Sequence, residues 1–103
     1  AFSLFGFYCY FNIYQILMSH KLSAVIIASN EAKHIGRCLD SLVGIADEIV
    51  VVISTNSTDA TERICRNYTS NVTIRNFEGY GAQKHFATQQ ASSDFILSID
   101  ADE

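Results

Sequence analysis

The sequence predicts an α/β protein, an open, mostly parallel sheet built from successive βα units. Short β-branched runs begin near residues 23, 48, 71 and 94, so each strand–helix unit takes nearly the same length. Between them lie stretches with apolar residues at helical spacing. The chain has no proline to break an element. Strands alternating with helices of this size imply parallel pairing through right-handed crossovers.

The elements follow in order. "LSAVIIA" at 22–28 is apolar and β-branched and reads as a buried strand. Asn30 can cap a helix over 31–43, with Ile35, Cys38, Leu39, Leu42 and Val43 on one face and Gly44 as its stop. "DEIVVVIS" at 47–54 is a second strand, and its unbroken valine run suits burial on both faces. "TNSTDAT" is a polar turn into a helix over 59–69, which Thr58 or Asp59 can cap while Ala60, Ile64, Cys65 and Tyr68 turn inward. A shorter strand at 71–75, a glycine-bearing loop "NFEGYGAQ", a helix at 82–91 built around Phe86 and Ala87, and a strand at 94–99 complete the pattern. The first strand should lie between the second and the fourth, because nucleotide-binding sheets switch direction there.

Composition narrows the function. A chain of 103 residues, 49% hydrophobic and 17% charged, makes one domain with a modest core and is no disordered segment. A net charge of -4 with no basic patch argues against a nucleic-acid partner. Cys9, Cys38 and Cys65 form no CxxC pair, and reduced, cytosolic thiols are the simpler reading. His20, His34 and His85 are too scattered to ligate one metal. Sequons at Asn56, Asn67 and Asn71 matter only in a secretory compartment and are read as chance.

Residues 1–17 stand apart: uncharged, with seven of the twelve aromatics. They lack the basic n-region and cleavage site of a signal peptide, and Asn12 and Gln15 interrupt a run already marginal for a membrane helix. Met18 followed by "SHKLSAVIIASNE" resembles a natural cytosolic start. The hydrophobic extension is therefore read as upstream sequence outside the sheet, with a weak membrane anchor as the alternative. The part from 18 to 103 ends just after a core strand, so it is expected to be the N-terminal part of a longer domain.

In an open parallel sheet, ligands bind beyond the carboxyl ends of the strands. The residues there are Ser29 to Glu31, Ser54 to Asp59, Glu78 to Lys84 and Asp100 to Glu103, four polar groups that hold acceptors or small backbone-exposing residues. Asp100 and Asp102, two apart at a strand end, can point to one side and offer hard oxygen ligands suited to Mg²⁺ or Mn²⁺. A bare DxD is usually a solvated acidic turn; its place after the fourth strand of a βα series favours the metal. Gly79 and Gly81 let the backbone approach a ligand, and Lys84 can offer a point charge to a phosphate; an ordinary strand-to-helix loop is the plainer reading.

Together "LSAVIIASNEAKHIGRCLDSL", "ADEIVVV", "NSTDAT", "EGYGAQK" and "LSIDADE" resemble the N-terminal half of a family-two glycosyltransferase of the GT-A, Rossmann-like fold. The resemblance is strongest to bacterial glucosyltransferases of lipopolysaccharide inner-core synthesis and runs from Lys21 to Glu103. It implies that Ala28, Asn30 and Glu31 line a nucleoside pocket, with Asp59 near the end of the second loop and Asp100 and Asp102 on the metal. Ser54 stands where the family usually has an aspartate accepting from the uracil ring, and a hydroxyl accepts more weakly. His85 replaces a common asparagine.

The expected function is the donor half of a glycosyltransferase. It binds a nucleotide-sugar, UDP-glucose, with a divalent ion for inverting transfer to a glycan or lipopolysaccharide core acceptor. The resemblance implies a cytoplasmic enzyme at the inner face of the bacterial inner membrane, with peripheral membrane association. The general base that such chemistry needs is expected beyond Glu103, so residues 1–103 alone should be inactive. The alternative is a non-catalytic α/β module binding a nucleotide or phosphate. A haloacid-dehalogenase-like phosphatase fits less well, because its paired aspartates follow the first strand, which here ends in "ASNE".

Overall fold

The computed structural model describes residues 2–3 and 21–100. Its elements are β1 (Phe2–Ser3), β2 (Leu22–Ala28), α1 (Ala32–Leu42), β3 (Glu48–Ser54), α2 (Thr61–Arg66), β4 (Val72–Arg75), α3 (Tyr80–Gln90) and β5 (Phe95–Asp100). The strands form one sheet in the order β1-β5-β2-β3-β4. Every described pairing is parallel. As the sequence predicts, β2 sits between β3 and β5, and the strand bounds fall within a residue or two of those expected.

Alternation along the strands sorts the core into two faces. Ala24, Ile26 and Ala28 of β2 and Val51 and Ile53 of β3 pack with Ile35, Cys38, Leu39, Leu42 and Cys65 from α1 and α2. Val25, Val50, Val52 and Ile96 point the other way, onto Ala87 of α3, with Phe86 half-buried beside them. A valine run without a polar gap is what a strand covered on both sides requires. Each fully buried Leu or Ile contributes about 1.5–3 kcal/mol, so the first face, with more and larger side chains, carries most of the stability. Burial there also pushes the Cys65 thiol up to about 11.

Four details differ from the sequence reading. Phe2 and Ser3 pair with Phe95 and Ile96 at the sheet edge, so the hydrophobic extension does not stay wholly outside the sheet. The rest of it lies outside the described residues. Val43 is 64% exposed, because α1 stops at Leu42 and Gly44 takes φ +87°. The second helix is only Thr61–Arg66, since the residues before it serve the loop described below. Gly81 lies inside α3, whose first residue is Tyr80; only Gly79, with φ +114°, makes the turn.

Candidate functional site

Because the strands are parallel, the ends Ala28, Ser54, Arg75 and Asp100 share one edge of the sheet. The register puts Ala28 beside Ile53, Ser54 beside Arg75, and the Asp100 backbone beside Ile27. The first three loops singled out in the sequence therefore lie at the same end of the sheet as the last described residue of β5, the end at which parallel sheets bind ligands.

The first two loops are laced together by one carboxylate. Asp59 Oδ2 accepts the Ala32 N–H at 3.1 Å, and Oδ1 accepts the Thr61 N–H at 2.9 Å. One aspartate thus caps the first turns of both α1 and α2. Two hydroxyls extend its reach. Thr61 Oγ1 donates to Asp59 while accepting the Glu31 N–H at 2.9 Å. Ser57 Oγ donates to Asp59 at 3.5 Å while accepting the Asn30 N–H at 3.0 Å. The Asn30 side chain completes the clasp, its Oδ1 accepting the Thr58 N–H at 2.8 Å. Asn30 holds φ +53°, a left-handed conformation that asparagine tolerates better than most residues. Hydrogen bonds, first from Thr61 and then from Ala32 and Ser57, hold the Asp59 carboxyl below its ordinary range against slight desolvation.

Asn30 therefore does not cap α1, as its position suggests; the cap comes from Asp59, 27 residues after Ala32. Ala28 is buried on the α1 face, Asn30 is exposed and Glu31 half-buried at the loop surface.

The other half of the edge is built differently. Ser54 is buried, and its Oγ accepts the Asn56 N–H at 3.2 Å. It follows Val50 and Val52 in alternation, so its side chain is on the α3 face. Its register partner Arg75 is on that face too: the guanidinium lies 4.8 Å from the Phe86 ring centroid and donates to Gln83 Oε1 at 2.9 Å. Glu78 Oε1 stands 3.5 Å away on the open side. Gln83 is completely buried, and among the described residues its Nε2 has no hydrogen-bond partner. Thr55, Ile74, Arg75, Asn76 and Glu78 line an open cleft of about 380 Å³ here. A larger cleft of about 660 Å³, lined partly by Gly44, Glu48, Tyr68 and Asn71, lies at the opposite end of the strands.

Lys84 is exposed in the second turn of α3. Asp102 lies outside the described residues, and no group of three His, Cys, Asp or Glu side chains converges among those described. Arg75 and Gln83 are the polar residues that the sequence reading passed over. A signal was present for Gln83, which falls one helical turn before the inward Ala87.

Comparison with known proteins agrees with this architecture. Residues 23–103 match the model of Glycosyl transferase family 2. The chain is 45% identical over 87 residues to an uncharacterised glycosyltransferase of Rickettsia bellii, covering 84% of this chain and 29% of that protein. It is 36% identical over 87 residues to the lipopolysaccharide core biosynthesis glycosyltransferase of Rhizobium meliloti, covering 80% of this chain and 32% of that one. The chain thus spans less than a third of the length of these relatives. Among solved structures, glucosyl-3-phosphoglycerate synthase of M. tuberculosis superposes with a TM-score of 0.73 at 26% identity, over 89% of this chain and 38% of that one. The same synthase in complex with Mn²⁺, UDP-glucose and glycerol 3-phosphate gives 0.63 at 27% identity, over 84% and 35%. With its parallel sheet, central β2 and family match over residues 23–103, the chain has a GT-A fold and belongs to glycosyl transferase family 2.

Proposed function

We propose that the intact protein transfers a sugar, with inversion, from a nucleotide-sugar donor to a glycan acceptor, and that this chain forms the donor half of its site. The observation that carries this reading is the convergence of Ala28, Ser54, Arg75 and Asp100 on one sheet edge. UDP-glucose is the proposed donor, supported by its presence in the mycobacterial complex. A lipopolysaccharide core acceptor is proposed from the name of the Rhizobium relative. Such an acceptor would bring the protein to the cytoplasmic face of the inner membrane as a peripheral partner. Among the described residues, no helix is long and apolar enough to cross a membrane.

Ala28, Asn30, Glu31 and Ser54 would line the nucleoside, with Asp59 holding the loops that present them. Lys84 would add a point charge for the diphosphate. Asp100 and Asp102 would hold Mg²⁺ or Mn²⁺. The donor set fits: two carboxylates at a strand end are hard oxygen ligands and leave positions for phosphate oxygens. The bound ion would offset charge building on the leaving diphosphate. A general base for the acceptor hydroxyl is expected beyond Glu103.

Calorimetric titration of UDP into the intact protein, with and without Mn²⁺, tests the reading. Tighter binding with Mn²⁺, lost in Asp102→Asn, is expected. Equal affinity with and without the ion refutes the metal role and returns Asp100 and Asp102 to a solvated turn.

A further inference from the structure

We propose that the outer face of α1 and α2 is the surface on which the protein rests against an anionic phospholipid bilayer. The inference rests on the peripheral membrane association proposed above and names its surface and its lipid class; it does not depend on the identity of the donor.

The starting point is an uneven distribution of charge. α1 and α2 hold Lys33, Arg37, Arg63 and Arg66, four of the seven lysines and arginines of the chain. Of its eleven acidic residues they hold only Asp40 and Glu62. Four against two leaves these helices with a net charge of +2, in a chain whose net charge is -4. On the other face of the sheet, the only charged residue of α3 is Lys84.

Their placement leaves these cations open to a partner. In α1, Ile35, Cys38, Leu39 and Leu42 face the sheet, and Lys33 and Arg37, one turn apart, are exposed on the opposite side. In α2, Cys65 faces the sheet while Arg63 and Arg66 are exposed. The helices pack side by side, so close that a Cβ on Gly36 would come within 3.9 Å of Ile64. One helical layer thus presents all four cations to solvent. Both of its acidic residues are already engaged: Glu62 pairs with Arg66 at 3.0 Å, and Asp40 accepts the Tyr68 hydroxyl at 2.6 Å. Lys33, Arg37 and Arg63 have no carboxylate partner among the described residues.

The turn after α1 favours a bilayer over an acidic protein as the partner. Val43 is 64% exposed there and Ile45 53%. Next to cations, such side chains can enter the boundary between headgroups and acyl chains while lysine and arginine meet the phosphates. Asp47, the next carboxylate along the chain, is turned to the sheet, its Oδ2 accepting the Leu22 N–H at 2.7 Å. Each cation held near an anionic surface strengthens binding roughly fivefold, so the three unpaired ones together supply about a hundredfold. With α1 and α2 flat against the bilayer, the strands run along it. The carboxyl edge of the sheet then opens sideways over the membrane surface, where a lipid-borne acceptor is carried.

The test is cosedimentation of the intact protein with two kinds of vesicle, one of phosphatidylethanolamine with roughly one-third phosphatidylglycerol, the other of phosphatidylcholine alone. Binding to the anionic vesicles should be roughly tenfold or more tighter and should weaken as salt is raised. The triple variant Lys33→Gln, Arg37→Gln, Arg63→Gln should lose about a hundredfold on the anionic vesicles. Its charge-keeping counterpart, Lys33→Arg, Arg37→Lys, Arg63→Lys, should bind as the unaltered protein does, and a loss there too overturns the electrostatic role. Equal binding to both kinds of vesicle, or binding unmoved by the glutamine substitutions, overturns this surface and leaves the membrane association standing. Binding to neither kind overturns both and leaves the face to an acidic protein partner.

Discussion

The two faces of the sheet are built to different rules. On the first, α1 and α2 bury Ile35, Leu39, Leu42 and Cys65 against β2 and β3, and Asp59 ties the N-termini of both helices to one carboxylate. On the second, α3 rests on Ala87 and a half-buried Phe86, and a fully buried glutamine takes the place of an apolar residue. The first face resists change because apolar packing and hydrogen bonds enforce the same loop geometry. The second gives up packing for polar groups that lie next to the crevice. The larger apolar core and the buried amide thus occupy opposite sides of one sheet.

The sharpest way to break that comparison is to hollow out the first face. Leu39 is completely buried between α1 and the sheet. Leu39→Ala should destabilise the protein by about 3 kcal/mol, read as a lower denaturant midpoint with an unchanged slope. A loss below about 1 kcal/mol would mean that this face is no better packed than the other.

A smaller effect is expected from the clasp. Asp59→Ala removes the cap of both helices at once and should lower the thermal midpoint clearly, though less than Leu39→Ala. It should also change the pH dependence. The Asp59 carboxyl is held below its ordinary value of 3.8, chiefly by hydrogen bonds from Thr61. Glu48 is likewise lowered from 4.5: desolvation opposes this, but hydrogen bonds from Ser92 and Ser23 prevail. A depressed carboxyl stabilises the fold fully above its unfolded value, and that contribution disappears as pH falls through the lower folded one. Stability should therefore fall as the pH drops below about 4.5. Asp59→Ala should flatten the part of that fall below 3.8, and an unchanged acid limb would show that the clasp contributes nothing.

The contrast also explains what was legible beforehand. The strands and their order follow from local patterns: β-branched runs at even spacing and the topology rules for βα units. The first face follows from the periodicity of Ile35, Cys38, Leu39 and Leu42. The clasp was hidden, because the residue that caps α1 is 27 positions from it, and "STDAT" reads as the start of a helix when its carboxylate is turned toward another loop. Arg75 and Gln83 were hidden for a related reason. A glutamine at an inward helical position reads as surface until a neighbouring strand supplies the arginine that fixes it. Asp100 stood out at once, since its position at a strand end is a local property, whereas Asp102 lies outside the described residues.

The smallest effect on stability should come from the second face. Gln83→Met keeps about the same length and fills about the same volume. It removes the unpartnered Nε2, whose burial costs about 1–3 kcal/mol, but it also takes away the acceptor that Arg75 uses, and these two changes oppose each other. Arg75 keeps its contact with Phe86 and its exposed pairing with Glu78, so it is not left without partners. The net change should lie within about 1 kcal/mol of zero, either sign, by chemical denaturation of the intact protein. A loss near that of Leu39→Ala would show the amide to be a structural tie as important as the apolar core. A near-zero change would separate the two faces, with Leu39 holding the fold and the Gln83 amide close to neutral.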